Sequence, residues 1–194
     1  MIERQLSKEH VKVRELAYKK PKKLDNIIRV LTKLIKVHLE NQIKAGVDIV
    51  QIFDTHANHM DSLLFDKYFY KEIGNIIKDI KSKFPNIYIS LFTKSNHILN
   101  DAIYKNIDCI SFNSHVKMKD YIRKIPNEIC FQGNLDPMRL AVGGQSLVEA
   151  TEGILKDMKT KNFVFNLGHG VLPQTPVENV HLLIDTIRSF KEKA

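Results

Sequence analysis

Five short apolar runs, separated by stretches of helical periodicity, constrain the fold of this chain more than any other feature. Val47–Phe53, Ile87–Phe92, Ile107–Phe112, Glu128–Gln132 and Asn162–Leu167 are five to seven residues long and nearly continuous in apolar side chains. Strands that are apolar on both faces belong to a parallel sheet covered by helices. The intervening segments predict those helices. One spans Ser7–Tyr18 with Ser7 as its N-cap, and a longer one spans Pro21–Ala45, with Pro21 in its first turn and Gly46 as its stop. On the longer helix Ile27, Leu31, Leu34, Ile35, Leu39 and Ile43 share one face. A broken helical region covers Met60–Phe84. Shorter helices are expected near His97–Tyr104 and Lys117–Lys124, and further ones over Ser146–Met158 and Pro176–Lys191.

About five strand–helix units follow one another with no linker or low-complexity insert, so one domain is expected across residues 1–194. Two architectures fit this pattern: an open doubly wound sheet, or part of an eight-stranded barrel. A complete barrel needs about 250 residues, so this chain falls short by about two or three units.

Composition narrows the function classes. With 43% apolar and 27% charged residues the chain is an ordinary globular one. Cys109 and Cys130 both lie in strand-like runs and form no Cys-x-x-Cys pair, which marks them as reduced core residues. The first residues, Met1-Ile2-Glu3-Arg4-Gln5-Leu6-Ser7, have no apolar leader core, and no apolar run reaches the roughly 18 residues of a membrane span. A cytoplasmic protein is expected. The net charge of +8 comes from lysines at helix-surface spacing. Its densest cluster, Lys19-Lys20-Pro21-Lys22-Lys23, has no interleaved aromatic residues. Solvated lysine faces explain this better than nucleic-acid binding, although a positive field still favours an acidic substrate.

In a parallel α/β sheet chemistry gathers where strands end. The five runs deliver Asp54-Thr55-His56, Thr93-Lys94, Asn113-Ser114-His115, Gly133-Asn134 with Asp136, and Asn166 with Gly168-His169-Gly170. Hydroxyls, amides, imidazoles and an ammonium with few carboxylates suit an anion better than a metal cation. His169, between two glycines, can approach a ligand closely while the flanking amides donate; the alternative is a histidine that caps its own loop. Thr55 can equally be an N-cap, and Asp136-Pro137 reads first as a loop closure or helix start. His56 and His59 are three apart, but no acidic or cysteine partner stands at a recognised spacing, so no metal is expected. Neither G-x-x-x-x-G-K-[ST] nor G-x-G-x-x-G occurs, and no nucleophile elbow is present.

Gly133-Asn134-Leu135-Asp136-Pro137 and Phe165-Asn166-Leu167-Gly168-His169-Gly170, followed by Leu172-Pro173, resemble the signature segments of the uroporphyrinogen decarboxylase family. Gln51-Ile52-Phe53-Asp54-Thr55-His56-Ala57, Phe92-Thr93-Lys94 and Met1-Ile2-Glu3 agree with it in order and spacing. The resemblance implies an incomplete parallel (β/α) barrel of TIM type, with about five of eight βα units. It also implies decarboxylation of uroporphyrinogen III, an acidic tetrapyrrole, to coproporphyrinogen III in porphyrin and haem biosynthesis. No cofactor or metal is implied, because the protonated pyrrole itself accepts the electrons released with carbon dioxide. Thr55 then matches the family's substrate-contacting Ser/Thr and His169 its substrate-binding histidine, with Phe53, Asp54, Lys94, Asn134 and Asp136 as possible cleft lining.

The same resemblance places the family's arginine motif and pyrrole-binding aspartate in an amino-terminal half, and makes this chain similar to the carboxyl-terminal part. Inactivity of the chain alone is therefore expected, with a homodimer or a complementary amino-terminal half as possible partner. Two departures stand out: Arg4-Gln5-Leu6 replaces a glycine-rich run, and Phe112-Asn113-Ser114 replaces a Leu-Asp-Trp segment. A related methyltransferase on the same fold would need a zinc-binding Cys/His set, and Val171 stands where its thiol is wanted.

Overall fold

All five predicted strands form, and in sheet order they follow the chain: β1 (Ile49–Asp54), β2 (Tyr88–Thr93), β3 (Cys109–Phe112), β4 (Cys130–Leu135) and β5 (Phe163–Leu167). β1 pairs with β2, β3 with β4 and β4 with β5, each in parallel. Strand order without a reversal is the progression of a TIM-type barrel, since a doubly wound sheet reverses at its switch point. Five βα units of eight make the barrel incomplete. These features come from a computed structural model that describes residues 2–3, 7, 9–56, 59–94 and 101–190. The chain divides into two compact units, Met1–Ile107 and Asp108–Ala194.

The first unit opens with α1 (Val11–Lys19) and α2 (Pro21–Lys44). Ser7 is not the N-cap of α1. His10 holds that position, and the Glu3 carboxylate accepts the Val13 N–H at 2.9 Å, satisfying a first-turn donor that a nearer cap would have taken. Pro21 begins α2 as expected, and Gly46, at φ 98°, turns the chain out of it. The predicted apolar face of α2 is only partly buried. Leu39 is buried, but Leu34 is 59% and Ile35 42% exposed. The side facing the next long helix is instead marked by polar contacts, Thr32 donating to Glu72 at 2.9 Å and Glu40 accepting from Lys83 at 2.7 Å. Leu34 and Ile35 lie round the helix from that line.

After β1, α3 (Ser62–Leu64) runs through a π-helical turn, Phe65–Tyr70, into α4 (Lys71–Lys83). Stacked Phe65 and Phe69, with centroids 4.4 Å apart, anchor the turn in the core. Ile76, Ile77 and Ile80 of α4 are fully buried, each worth about 1.5–3 kcal/mol. Strand β2 is buried throughout except at Tyr88, whereas β1 alternates and exposes Ile49 and Phe53. Of the helix predicted over His97–Tyr104, α5 (Asp101–Tyr104) is seen, and 97–100 lie outside the described residues. Met1, Arg4-Gln5-Leu6 and Ala57 also lie outside them.

In the second unit β4 is shifted from the predicted Glu128–Gln132 and runs through Gly133 to Leu135. Gly133 does not break the strand because its φ of 133° and close approach to the Phe112 carbonyl leave no room for a side chain. A Cβ there would sit 2.9 Å from that oxygen. The helix predicted at Lys117–Lys124 is only a 3-10 turn, Met118–Tyr121, with Met118 as its one buried side chain and no apolar face to extend it. A short helix not predicted as such, α6 (Pro137–Val142), begins at Asp136. It leads into α7 (Gly144–Met158), and α8 (Val177–Ser189) closes the chain. Leu135, Leu140, Leu147 and Leu183 form the core with Phe165 and Leu167 packed against them. The cysteines are free, but they are half-exposed rather than core residues: Cys109 and Cys130 start adjacent strands and face each other in register.

Candidate functional site

Thr55 follows directly on β1, half-buried, between Asp54 and the exposed His56. Asp54 organises this end. Its carboxylate accepts the His56 N–H and the Thr93 hydroxyl, each at 3.3 Å, while its backbone carbonyl accepts the Lys94 N–H at 3.1 Å. Lys94 is half-buried, and Phe53 is 67% exposed with its ring tilted against Phe92 at 5.7 Å. The first unit therefore brings together four of the predicted residues: Phe53, Asp54, Thr55 and Lys94.

A further residue joins them that the sequence pattern missed. His10 lies 4.8 Å from His56 and 4.6 Å from His59, ring centre to ring centre. The His59 N–H donates to the His56 carbonyl at 3.1 Å, which ties the two residues together. Partial burial, and after it the charges of His10 and His59, push the His56 pKa below the ordinary imidazole value, with Asp54 opposing. Spacing rules look for ligands a few residues apart, and His10 comes from before α1.

At the ends of β4 and β5 the polar groups are used internally. Asn134, predicted to line a cleft, is buried at 8% exposure, and its amide donates to the Asn113 carbonyl at 2.8 Å and the Val116 carbonyl at 2.6 Å. Both donor hydrogens are committed, so Asn134 is a loop clamp rather than a ligand-facing amide. The Asn113 side chain in turn accepts the His115 N–H at 2.9 Å. Asp136 is exposed, and one of its oxygens caps α6 by accepting the Met138 N–H at 2.9 Å. This is the helix-start reading of Asp136-Pro137.

His169 is exposed, as a ligand-facing residue should be. The expectation that its flanking amides donate to a ligand fails. Gly168 N–H donates to the Leu135 carbonyl at 2.8 Å, and Gly170 N–H donates to His169 Nδ1 at 2.7 Å. With Nδ1 accepting, the neutral ring carries its proton on Nε2, which makes that nitrogen a donor. The loop thus fixes the tautomer of the exposed imidazole.

Comparison with known proteins gives this geometry a context. Residues 1–190 match the family model described as uroporphyrinogen decarboxylase (URO-D). A uroporphyrinogen decarboxylase of Campylobacter jejuni subsp. jejuni serotype O:23/36 is 36% identical over 193 residues, covering 100% of this chain and 56% of the relative. That of Campylobacter hominis is 37% identical over 97% of the chain and 55% of the relative, and that of Orientia tsutsugamushi 39% identical over 84% and 48%. The chain spans about half the length of the curated relatives it matches. With the family model covering nearly every residue and the βα progression in agreement, the chain belongs to the uroporphyrinogen decarboxylase family.

Proposed function

We propose that this chain supplies the Thr55 and His169 side of a uroporphyrinogen III decarboxylase, acting in the cytoplasm on an acidic tetrapyrrole and releasing acetate carboxyl groups as carbon dioxide. The observation that carries the reading is the family match over residues 1–190. Around it, the exposed His169 with Nε2 as donor suits a substrate carboxylate, and the half-buried Thr55 beside Lys94 suits another. A net charge of +8 draws a polyacid toward the protein. Such chemistry asks the protein mainly for orientation and for fixed donors where charge develops. No helix among the described residues is long and apolar enough to cross a membrane.

The partner is part of the proposal. Ile49 and Phe53 of β1 are 61% and 67% exposed, and Val164 of β5 is 49% exposed, so each terminal strand of the sheet presents apolar surface. A complementary amino-terminal set of βα units would cover these strands and add the arginine and aspartate of the family resemblance. The test is an anaerobic assay with uroporphyrinogen III, using the purified chain alone and the chain co-expressed with the amino-terminal half of a full-length relative. Coproporphyrinogen III only on co-expression supports the proposal. Product from the chain alone overturns the need for a partner, and none in either arm overturns the activity. In the competent form His169→Ala should weaken uroporphyrinogen III binding by about tenfold or more, the worth of one hydrogen bond to a charged group. Equal affinity in that variant would remove His169 from the site.

A further inference from the structure

We propose that His10, His56 and His59 form a three-histidine site for a divalent transition-metal ion of the zinc class, at the end of β1. One ring nitrogen from each residue lies within 4.8 Å of the other two. An ion centred in a triangle with sides of that length is about 2.8 Å from each corner, so each ring closes by at most about 0.8 Å to reach the usual Zn–N distance of about 2.0–2.1 Å. Small side-chain rotations cover that distance. Imidazole is the donor that zinc, cobalt, nickel and copper share, whereas magnesium and calcium select oxygen, and three protein ligands leave a further coordination position for water or an anion. His56 is the exposed member of the three, so the cluster is reached from solvent.

The surrounding structure holds the three residues in place. His10 sits at φ 49°, the one non-glycine residue with positive φ among those described, in a conformation that costs about 1 kcal/mol or more unless the site compensates. The helix it starts is fastened to the His59 segment in two ways. Tyr18 donates to the Asp61 carboxylate at 2.5 Å, and Ala17 of α1 shares a core cluster with Leu64 and Met60. Asp61 also accepts the Leu64 N–H at 2.9 Å, which caps α3 two residues beyond His59. An arrangement in which packing sets the ligand positions before the ion arrives is a prepared site. The inference stands apart from the proposed decarboxylation, because it uses no substrate and no partner.

The experiment titrates the chelator-treated chain with Co2+, reading its ligand-field absorption, and then displaces the cobalt with Zn2+. The expected result is one ion per chain. His10→Asn removes a ligand while keeping a residue that tolerates the left-handed conformation, and His59→Ala removes a second. Each should weaken binding by at least about 100-fold, and Asp61→Ala, which touches only the support, by about tenfold. His56→Ala deletes an exposed side chain and so tests the site without disturbing packing. His181→Ala, on α8, should change nothing. Absence of stoichiometric binding, or undiminished affinity in His10→Asn or His56→Ala, overturns the proposal.

Discussion

At the end of β1 the polar side chains come from segments far apart in the chain and remain half-exposed, whereas at the ends of β4 and β5 they are committed to backbone partners close by. His56, held by Asp54, and His59 both meet His10, a residue from before the first helix. Asn134 clamps the carbonyls of Asn113 and Val116, and Gly168 and Gly170 give their amides to Leu135 and to His169 itself. The contrast separates two meanings of a polar, glycine-rich strand end. One is a cluster of side chains available to a ligand. The other is a scaffold that presents a single imidazole, with the conspicuous glycines and amide serving the loop.

The two glycines beside His169 provide the sharpest break of this comparison. A Cβ on Gly168 would fall onto Ser114 N and within 2.7 Å of Ser114 Cα, contacts that the backbone must move to relieve. Gly168→Ala should cost about 3 kcal/mol or more, read as a lowered urea midpoint. Gly170 has nothing within 4 Å of its built Cβ, so Gly170→Ala should stay within about 0.5 kcal/mol. Equal costs at the two positions would refute the view that one glycine is there for close approach and the other is not. Next in size is Asn134→Ala, which leaves two carbonyls at a buried site without their donor and should cost about 2–3 kcal/mol in the same assay. A neutral result would return Asn134 to the ligand-facing class.

The sequence makes the β5 end legible because its geometry is local: a strand, a glycine on each side of a histidine, and a proline can be read within one window. All five strands were visible for the same reason, as runs of apolar residues that a buried parallel strand requires. What escaped had non-local causes. Gly133 reads as the end of a strand, yet the neighbouring Phe112 carbonyl makes it the residue that lets β4 continue. The apolar pattern of α2 places Leu34 and Ile35 on its buried face, yet both are exposed because Thr32 and Glu40 bond α4, and polar contact lines leave no mark in an apolar pattern. Ser7 lost its capping role to Glu3, a choice that chain geometry makes before α1. His10 joins His56 and His59 only once α1 is packed against the segment around Met60.

The opposite ends of β3 and β4 extend the comparison, with the smallest effect on stability. Cys109 and Cys130 face each other in register there, and hydrogen bonding from the Cys109 thiol lowers the Cys130 pKa to about 7, with burial opposing. A folded-state pKa below the unfolded one means that the unfolded chain binds more protons between the two values. This contribution to stability is therefore fully present above the unfolded thiol pKa, declines as pH falls, and is lost through pH 7. Cys109→Ala removes the donor, so the Cys130 pKa should rise and the slope of stability between pH 7 and 9 should flatten. Alkylation of Cys130 by iodoacetamide at pH 7 should slow by about tenfold. That is less than the fall in thiolate fraction, because nucleophilicity rises with thiol pKa. An unchanged alkylation rate would show that the paired thiols titrate independently, and that this end of the sheet, like the β4 loop at the other, is structural alone.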